Sequence, residues 1–231
     1  MYAKYFKRFF DFLLSFLALS VLSPILLVLT AVGAVAMRGN PFFTQLRPGM
    51  KGESGNEKIF RLIKFRTMSN KKDSEGNLLP DAERLNGYGR FLRSTSADEL
   101  PSLINIMKGD LAIVGPRPQL VRDMVFMTPE QRRRHSVRPG LTGLAQVSGR
   151  NNITWEQKFA YDLEYIDSGI TAAKDMKIIF RTVWKVFKRS DTVREGTASD
   201  MDFGDWLVKE GKIAEEEYEE RQSEAKELLK A

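Results

Sequence analysis

The sequence predicts a mostly helical α/β protein with a small sheet, attached to a membrane by its N-terminal segment. Residues 12–37 are an uncharged apolar run, residues 40–114 contain short β-type segments among loops, and residues 155–190 show helical apolar periodicity. These observations divide the chain into a membrane segment at residues 1–38, a globular domain at residues 39–199 and an acidic helical tail at residues 200–231.

The apolar run at residues 12–37 is long enough to cross a bilayer. Its 26 residues would make a helix of roughly 39 Å, against ~30 Å of hydrocarbon. Ser23-Pro24 lies near the middle, where proline removes one helical hydrogen bond, and neither half is long enough to span alone. Basic residues flank both ends: Lys4, Lys7, Arg8, Arg38, Arg47 and Lys51. Two paths stay open, a kinked spanning helix and a re-entrant helix that returns to the face it entered.

The charge distribution points to anionic ligands. The formal net charge is +6, but residues 200–231 hold 11 acidic and 5 basic residues, so residues 1–199 carry a net charge of +12. A basic domain beside a membrane suits phosphates or lipid headgroups. Nucleic acid is not expected, because an enzyme for free RNA or DNA has little need of the apolar run. The absence of cysteine excludes disulfides and thiol catalysis.

The remaining elements follow in order. Residues 1–11 would present an aromatic helical face to a membrane interface. Strands are predicted at residues 40–43, 59–65 and 111–114, with a turn-rich linker from Arg47 to Asn56 between the first two. Residues 144–147 suit a further strand. One helix should begin at Pro101 and end at Gly109, and another should occupy residues 124–135.

Two later helices have clear apolar patterns, at residues 155–168 and 171–190. The stripe of the second comprises Met176, Ile179, Phe180, Val183, Trp184 and Phe187, with lysines and arginines beside it. This pattern suits a core-facing helix or one lying in the membrane interface, and the preceding membrane segment favours the interface. The glutamate-rich residues 215–220 are predicted to form a solvated face or an interaction tail.

The adjacent carboxylates Asp98 and Glu99 have two interpretations. Ser96-x-x-Glu99 matches a capping box, in which both side chains only close a helix N-terminus. Pro101 would then disturb the first turn, so the pair could instead precede a helix that begins at Pro101. Near a positive helix end and Arg93, an ionised carboxylate can serve as a nucleophile or a Mg²⁺ ligand.

Basic residues concentrate beside Gly and Pro, where stiff loops could aim them at phosphate oxygens. They are Lys64, Arg66, Arg90, Arg93, Arg117, Arg138 and Arg150. Each alone could equally be a solvated surface base. His135, the only histidine, follows three arginines and is predicted at the surface rather than as a general base.

Several motifs occur in a fixed order along residues 2–196. They are Ser23-Pro24, Phe43-Thr44-Gln45-x-Arg47-Pro48-Gly49, Lys64-Phe65-Arg66-Thr67-Met68, Arg93-x5-Glu99, Gly109-Asp110, Gly115-Pro116-Arg117-Pro118 and the segment from Arg138 to Gln146. Together they make the sequence resemble the bacterial sugar transferase family, the monotopic polyprenyl-phosphate phosphoglycosyl transferases, in its small single-domain branch. Residues 200–231 fall outside the resemblance.

The resemblance implies transfer of a phosphosugar from a UDP-sugar to undecaprenyl phosphate, with release of UMP. Asp98 would form a covalent phosphosugar, and Glu99 would assist as a base or through Mg²⁺, which both carboxylates would bind. Substrate contacts are expected from Lys64, Arg93, Arg117 and Arg138, with Asp162 in support. A re-entrant helix kinked at Ser23-Pro24 would hold residues 39–199 as a catalytic domain on the cytosolic face of the bacterial inner membrane.

A different class of function stays open from the residues alone. The chain could be a non-catalytic membrane adaptor that binds anionic lipids, with Asp98 and Glu99 only capping a helix. No residue pattern indicates a particular sugar or an oligomeric state.

Overall fold

The structure, a computed structural model, describes residues 1–149, 153–188 and 201–230. Arg150, the last residues of the helix predicted at 171–190 and the boundary between residues 199 and 200 lie outside the described residues. The strands are β1 (Phe42–Lys51), β2 (Glu57–Phe65), β3 (Ala112–Val114) and β4 (Gly140–Thr142). The α-helices are α1 (Lys7–Ala36), α2 (Asp81–Arg84), α3 (Gly87–Thr95), α4 (Leu103–Lys108), α5 (Val121–Met124), α6 (Leu144–Ser148), α7 (Trp155–Asp167), α8 (Ala172–Lys188), α9 (Phe203–Lys209) and α10 (Glu215–Leu228).

The apolar N-terminal helix continues through Pro24. Proline has no N–H to donate to the carbonyl group of Ser20, and the Ser23 hydroxyl donates to that oxygen instead at 2.8 Å. The helical segment Tyr2–Ala36 is long and apolar enough to cross a membrane, by length and composition. Only 6% of its most apolar stretch of 18 residues is buried. Serine therefore satisfies the backbone group that proline leaves open.

Both ends of α1 contact the same globular domain. Arg8, in its first turns, donates to two carbonyl groups of α4 at 2.6 Å each. Near its C-terminus, the Tyr88 hydroxyl of α3 donates to the Leu29 carbonyl at 2.8 Å, and Asn86 donates to the Ala36 carbonyl at 3.1 Å. The domain thus holds α1 at two places, and Ser23-Pro24 is exposed between them.

The sheets are small, as predicted. β1 and β2 form an antiparallel hairpin, and β3 pairs in parallel with β4. The linker predicted to begin at Arg47 is wrong, because β1 continues to Lys51. The strand accommodates Pro48-Gly49 at an irregularity in its register, where a Cβ atom on Gly49 would lie 2.9 Å from the Lys58 carbonyl oxygen.

Two other predicted elements differ. The helix predicted at residues 124–135 is divided into α5 and a 3₁₀ helix at Gln131–Ser136, because Pro129 disfavours helical geometry at Thr128. Residues 144–147 are helical rather than extended. Gly143 precedes α6 in an extended conformation, and leucine, alanine and glutamine are strong helix formers.

Helix α7 agrees with its prediction within one residue at its C-terminal end, and α8 occupies most of the predicted second helix. On α8, Asp175 and Ile178 are buried, whereas Met176, Phe180 and Trp184 are 59%, 70% and 55% exposed. A core-facing position is therefore wrong for these three residues. The first turns of α1 and α8 are joined by a buried ion pair, in which Lys7 lies 2.6 Å from Asp175.

The C-terminal residues pack on the domain rather than extending as a solvated tail. Phe203 of α9 and Ala225 of α10 are buried in a cluster with Phe126, Trp155 and Phe159. The acidic side chains of α10 still face solvent over much of its length. This segment is therefore attached to the domain by burial of a few apolar side chains, which its acidic composition does not reveal.

Helix α3 approaches the chain after β2 so closely that Gly89 has no room for a side chain. A Cβ atom there would lie 1.9 Å from the Thr67 carbonyl oxygen, whereas one on Gly87 would have no heavy atom within 4 Å. The contact sets the position of α3 and of the turn that follows it.

We expect Gly89→Ala to lower the free energy of unfolding by ~1–3 kcal/mol through this clash. Gly87→Ala, in the first turn of the same helix, should leave it unchanged or raise it by less than ~1 kcal/mol. Thermal unfolding of both variants in detergent measures the difference. Equal effects of the two substitutions would contradict the close contact at Gly89.

Candidate active site

The adjacent carboxylates lie in a 3₁₀ turn between α3 and α4. Ser96 ends α3 in a left-handed conformation, with φ 55° and ψ 19°, which residues other than glycine seldom adopt and which is often found at functional sites. The turn then runs through Ala97–Ser102. The predicted helix start at Pro101 is wrong, because Pro101 lies inside this turn and α4 begins at Leu103.

The capping box is not formed. The Ser96 side chain makes no capping hydrogen bond, and the Glu99 side chain turns toward two cations instead. Lys64 of β2 lies 2.8 Å from Glu99 Oε1, and Arg117 approaches the same oxygen at 2.6 Å and Oε2 at 3.5 Å. Burial favours a raised pKa for Glu99, but Arg117 and Lys64 outweigh it and hold the pKa well below its usual range. Glu99 is therefore ionised at neutral pH.

Asp98 has the opposite environment. Burial and the neighbouring charge of Glu99 raise its pKa, while Lys64, Arg117 and Arg93 act in the other direction. Within the described part of the chain, no hydrogen bond or ion pair to the Asp98 carboxylate is found. Asp98 thus stands near three cations with its oxygens uncommitted, which is the condition a nucleophile or metal ligand requires.

Glu99 also lines a cavity of about 630 Å³, a size typical of small-molecule sites. Four cationic side chains contribute to its wall: Arg47, Arg117, Lys158 and Lys185. Asp123, Asp162 and Asp202 contribute carboxylates, and Leu100, Ile113, Leu141 and Trp155 contribute apolar surface. The cavity therefore offers cations to an anionic group and both polar and apolar surface to the rest of a ligand.

The predicted site residues are only partly brought together. Lys64, Arg117 and Arg93 surround Asp98 and Glu99, and Arg93 Nε also donates to the Thr67 hydroxyl at 3.1 Å. Arg138 lies elsewhere, because its Nε donates to the Gly109 carbonyl at 3.0 Å and its charge acts on Arg8. Of the predicted site residues, Glu99, Arg117 and Asp162 line the cavity, whereas Asp98, Lys64, Arg93 and Arg138 are not among its lining residues.

Asp162 lines the cavity from α7 and is paired with a buried arginine. Its carboxylate accepts from Arg134 at 2.6 and 3.0 Å, and both side chains are at most 2% exposed. Arg134 also donates to the Arg117 carbonyl at 2.6 Å. Asp162 therefore acts on the site through Arg134, which fixes the backbone that carries Arg117.

Arg47 also lies at the cavity, although the sequence indicates it only as a flanking charge and as part of a motif. It lines the cavity and donates to the Pro118 carbonyl at 3.1 Å and to Gln45 at 2.7 Å. Burial, followed by the charge of Arg117, lowers its pKa to about 10. The signal was present, since Arg47 precedes Pro48-Gly49 in the same arginine-beside-proline pattern that singled out Arg117.

The predicted surface position of His135 is wrong. Its side chain is 4% exposed, and Nδ1 lies 3.1 Å from a Glu57 carboxylate oxygen. Burial lowers the pKa of His135 despite this acidic partner, so the neutral ring donates from Nδ1 to Glu57. His135 contacts the turn end of the β1–β2 hairpin and is not among the cavity residues.

The carboxylate pair fits Mg²⁺ only together with a ligand. Among the described residues, no group of three or more histidine, aspartate or glutamate side chains could hold a metal ion. Mg²⁺ commonly binds one or two carboxylates and completes its shell with substrate phosphates and water. Asp98 fits that role better than Glu99, because Lys64 and Arg117 already occupy the Glu99 oxygens.

Fold and site together define an α/β protein with a long apolar N-terminal helix, a carboxylate pair and several cations suited to an anionic ligand. The sequence profile described as "Bacterial sugar transferase" matches residues 2–189. The chain therefore belongs to the bacterial sugar transferase family, as its motifs predicted. Residues 201–230 lie outside the match.

Individual relatives agree with this assignment. The chain is 47% identical over 180 residues to "Uncharacterized sugar transferase EpsL" of Bacillus subtilis (strain 168), covering 78% of this chain and 86% of that protein. It is 39% identical over 192 residues to the "UDP-glucose:undecaprenyl-phosphate glucose-1-phosphate transferase" of Klebsiella pneumoniae, covering 79% of this chain and 40% of that longer protein. The Caulobacter vibrioides protein of the same name is 34% identical over 192 residues, covering 77% and 68%.

We expect Arg134→Ala to lower the free energy of unfolding by ~3–5 kcal/mol, because it leaves the Asp162 carboxylate buried without its partner. Arg133→Ala is the matched control. Arg133 pairs with Glu130 and Asp167 at the surface, and such pairs contribute less than ~1 kcal/mol. Chemical unfolding in detergent measures both. Similar losses for the two neighbouring arginines would contradict a specific role for the buried pair.

Proposed function

We propose that the protein transfers a sugar phosphate from a UDP-sugar to undecaprenyl phosphate, with release of UMP, through a phosphosugar covalently attached to Asp98. The observation that carries the proposal is that the two adjacent carboxylates, Asp98 and Glu99, have different partners and opposite pKa shifts. Lys64 and Arg117 form ion pairs with Glu99. Asp98 lies near the same cations but has no hydrogen-bond or ion-pair partner among the described residues. The activities for which the Klebsiella and Caulobacter relatives are named support this substrate class.

In the first step, an ionised Asp98 oxygen attacks the β-phosphorus of the donor. The bond from that phosphorus to the bridging oxygen breaks, and UMP leaves with the bonding electrons. In the second step, an oxygen of the lipid phosphate attacks the same phosphorus, and Asp98 leaves as a carboxylate. The two-step path lets one site serve a water-soluble donor and a membrane-bound acceptor in turn.

The surrounding side chains orient and neutralise the diphosphate. Glu99 fixes Lys64 and Arg117 in place, so that these cations are preorganised for charge that moves onto the leaving UMP. Arg47 reaches the cavity wall from β1 and adds a further positive charge. Mg²⁺, held by Asp98 with support from Glu99, would neutralise donor phosphate oxygens when bound.

A re-entrant α1, kinked at Ser23-Pro24, would place this site on the cytosolic face of the bacterial inner membrane, where UDP-sugars are made. The attachment of both helix ends to one domain supports this path, since a spanning helix would separate them across the bilayer. The exposed Phe180 and Trp184 of α8 support an interfacial position for that helix, which is joined to the start of α1 by Lys7 and Asp175.

Asp98→Asn should reduce UMP release by at least ~1,000-fold, because an amide cannot form the covalent intermediate. The assay supplies a panel of UDP-sugars with undecaprenyl phosphate and Mg²⁺, and a sugar-labelled donor alone should label the wild-type protein but not the variant. Asp167→Asn, at an exposed pair on α7, is the control and should retain activity. Unchanged activity in Asp98→Asn would exclude Asp98 as the nucleophile. Absence of UMP release from wild-type protein would favour the lipid-binding adaptor.

The path of α1 can be tested with single cysteines, since the chain contains none. Lys4→Cys and Asn40→Cys place thiols at exposed positions on either side of the apolar helix. A membrane-impermeant maleimide should label neither variant in intact spheroplasts and both after lysis. Labelling of only one variant before lysis would show that the helix spans the membrane.

A further inference from the structure

The C-terminal segment reaches the active-site cavity, although it lies beyond the region that matches the family. The match ends at residue 189, whereas Met201 and Asp202 line the cavity together with Glu99 and Arg117. The indole N–H of Trp155, which also lines the cavity, donates to the Met201 carbonyl at 3.3 Å. This chain therefore completes the cavity wall with residues that the family region does not supply.

Several contacts hold the segment in this position. The backbone N–H of Phe203 donates to the Asp123 carboxylate at 2.8 Å, and the Phe203 ring is buried. Arg122 pairs with Asp202 at 3.2 Å and with Asp205 at 3.0 Å. Of these two aspartates, only Asp202 is among the cavity residues. Burial of Phe203 and the ion pair with Arg122 thus hold Asp202 at the cavity wall.

Asp202 adds a carboxylate to the cavity wall, where Arg122 and Arg47 both counteract the burial that raises its pKa. With Asp123, it forms an acidic pair among the lining residues, and burial together with Asp202 raises the pKa of Asp123 to about 6. A carboxylate repels phosphate but accepts hydrogen bonds from hydroxyl and amide N–H groups. Arg47 and Arg117 can neutralise the charged part of a donor, and Asp202, which pairs with Arg122 through Oδ2, can still accept hydrogen bonds from a neutral part.

We propose that Asp202 and Met201 form part of the binding site for the neutral, hydroxyl- or amide-bearing portion of the donor, so that the C-terminal segment takes part in donor selection. This inference rests on the proposed transferase function. The transferred sugar and the ribose share the chemistry in question, and inhibition by UMP distinguishes them because UMP contains the ribose and the uracil but not the transferred sugar.

The test compares Asp202→Ala with Asp205→Asn in full-length protein. Asp205 pairs with the same Arg122 and accepts from the Tyr218 hydroxyl at 2.5 Å, so its substitution weakens docking of the segment without removing the cavity carboxylate. Asp202→Ala should raise the KM for the donor about 10-fold or more, as expected from loss of a hydrogen bond to a charged group, with a smaller change in kcat. Asp205→Asn should keep the wild-type donor KM, and thermal unfolding reports the stability of each variant.

Two results would support the inference. If the sugar is the contact, Asp202→Ala changes the relative kcat/KM among UDP-sugars and leaves inhibition by UMP unchanged. If the ribose is the contact, all donors and UMP weaken together. An unchanged donor KM in Asp202→Ala, equal increases in both variants, or an effect confined to the KM for undecaprenyl phosphate would each overturn it. Wild-type protein that releases no UMP would overturn the proposed function, and the inference would fall with it.

Discussion

The organisation of the site depends on the ion pairs that Glu99 makes with Lys64 and Arg117. Lys64 is near the end of β2, Glu99 lies in the turn before α4, and Arg117 lies in the loop after β3. These three segments are distant in sequence, so the carboxylate joins them at one point. Arg134 extends the connection by binding the Arg117 carbonyl and the Asp162 carboxylate of α7. Of the residues in this chain of contacts, Glu99, Arg117 and Asp162 line the cavity.

The same ion pairs distinguish two carboxylates that are adjacent in sequence. If both shared the cations equally, their mutual repulsion would favour protonation of one without determining which. Lys64 and Arg117 contact Glu99 directly, so Glu99 stays ionised and its charge raises the pKa of Asp98. Asp98 is consequently the more basic of the pair and the one without a hydrogen-bond or ion-pair partner among the described residues. Basicity favours nucleophilic attack, and nearby cations still stabilise its ionised form.

Periodicity and motif order predicted a large part of this arrangement. The apolar helix, α7, strand β2 and the carboxylate pair all depend on local pattern, which is readable from the chain. The partners of each charge cannot be read from local pattern, because Lys64 lies 35 residues before Glu99 and Glu57 lies 78 residues from His135. Burial of His135 and the pairing of Asp162 with Arg134 therefore required the tertiary structure. Docking of the acidic tail was missed because composition conceals the few apolar residues, such as Phe203, that attach it.

The position of Asp98 relative to α1 follows from one short helix, α3. Tyr88 and Asn86 bind carbonyl groups near the C-terminus of α1, and both belong to α3 or its N-terminal cap. Nine residues of α3 span roughly 14 Å, after which the left-handed Ser96 turns the chain directly into the carboxylate pair. The missing side chain of Gly89 lets this helix lie against the segment after Lys64. Helix α3 thus connects the C-terminal part of α1 to the turn that carries Asp98. With α1 in a bilayer, as proposed, the depth of that helix would also determine the height of Asp98 above it.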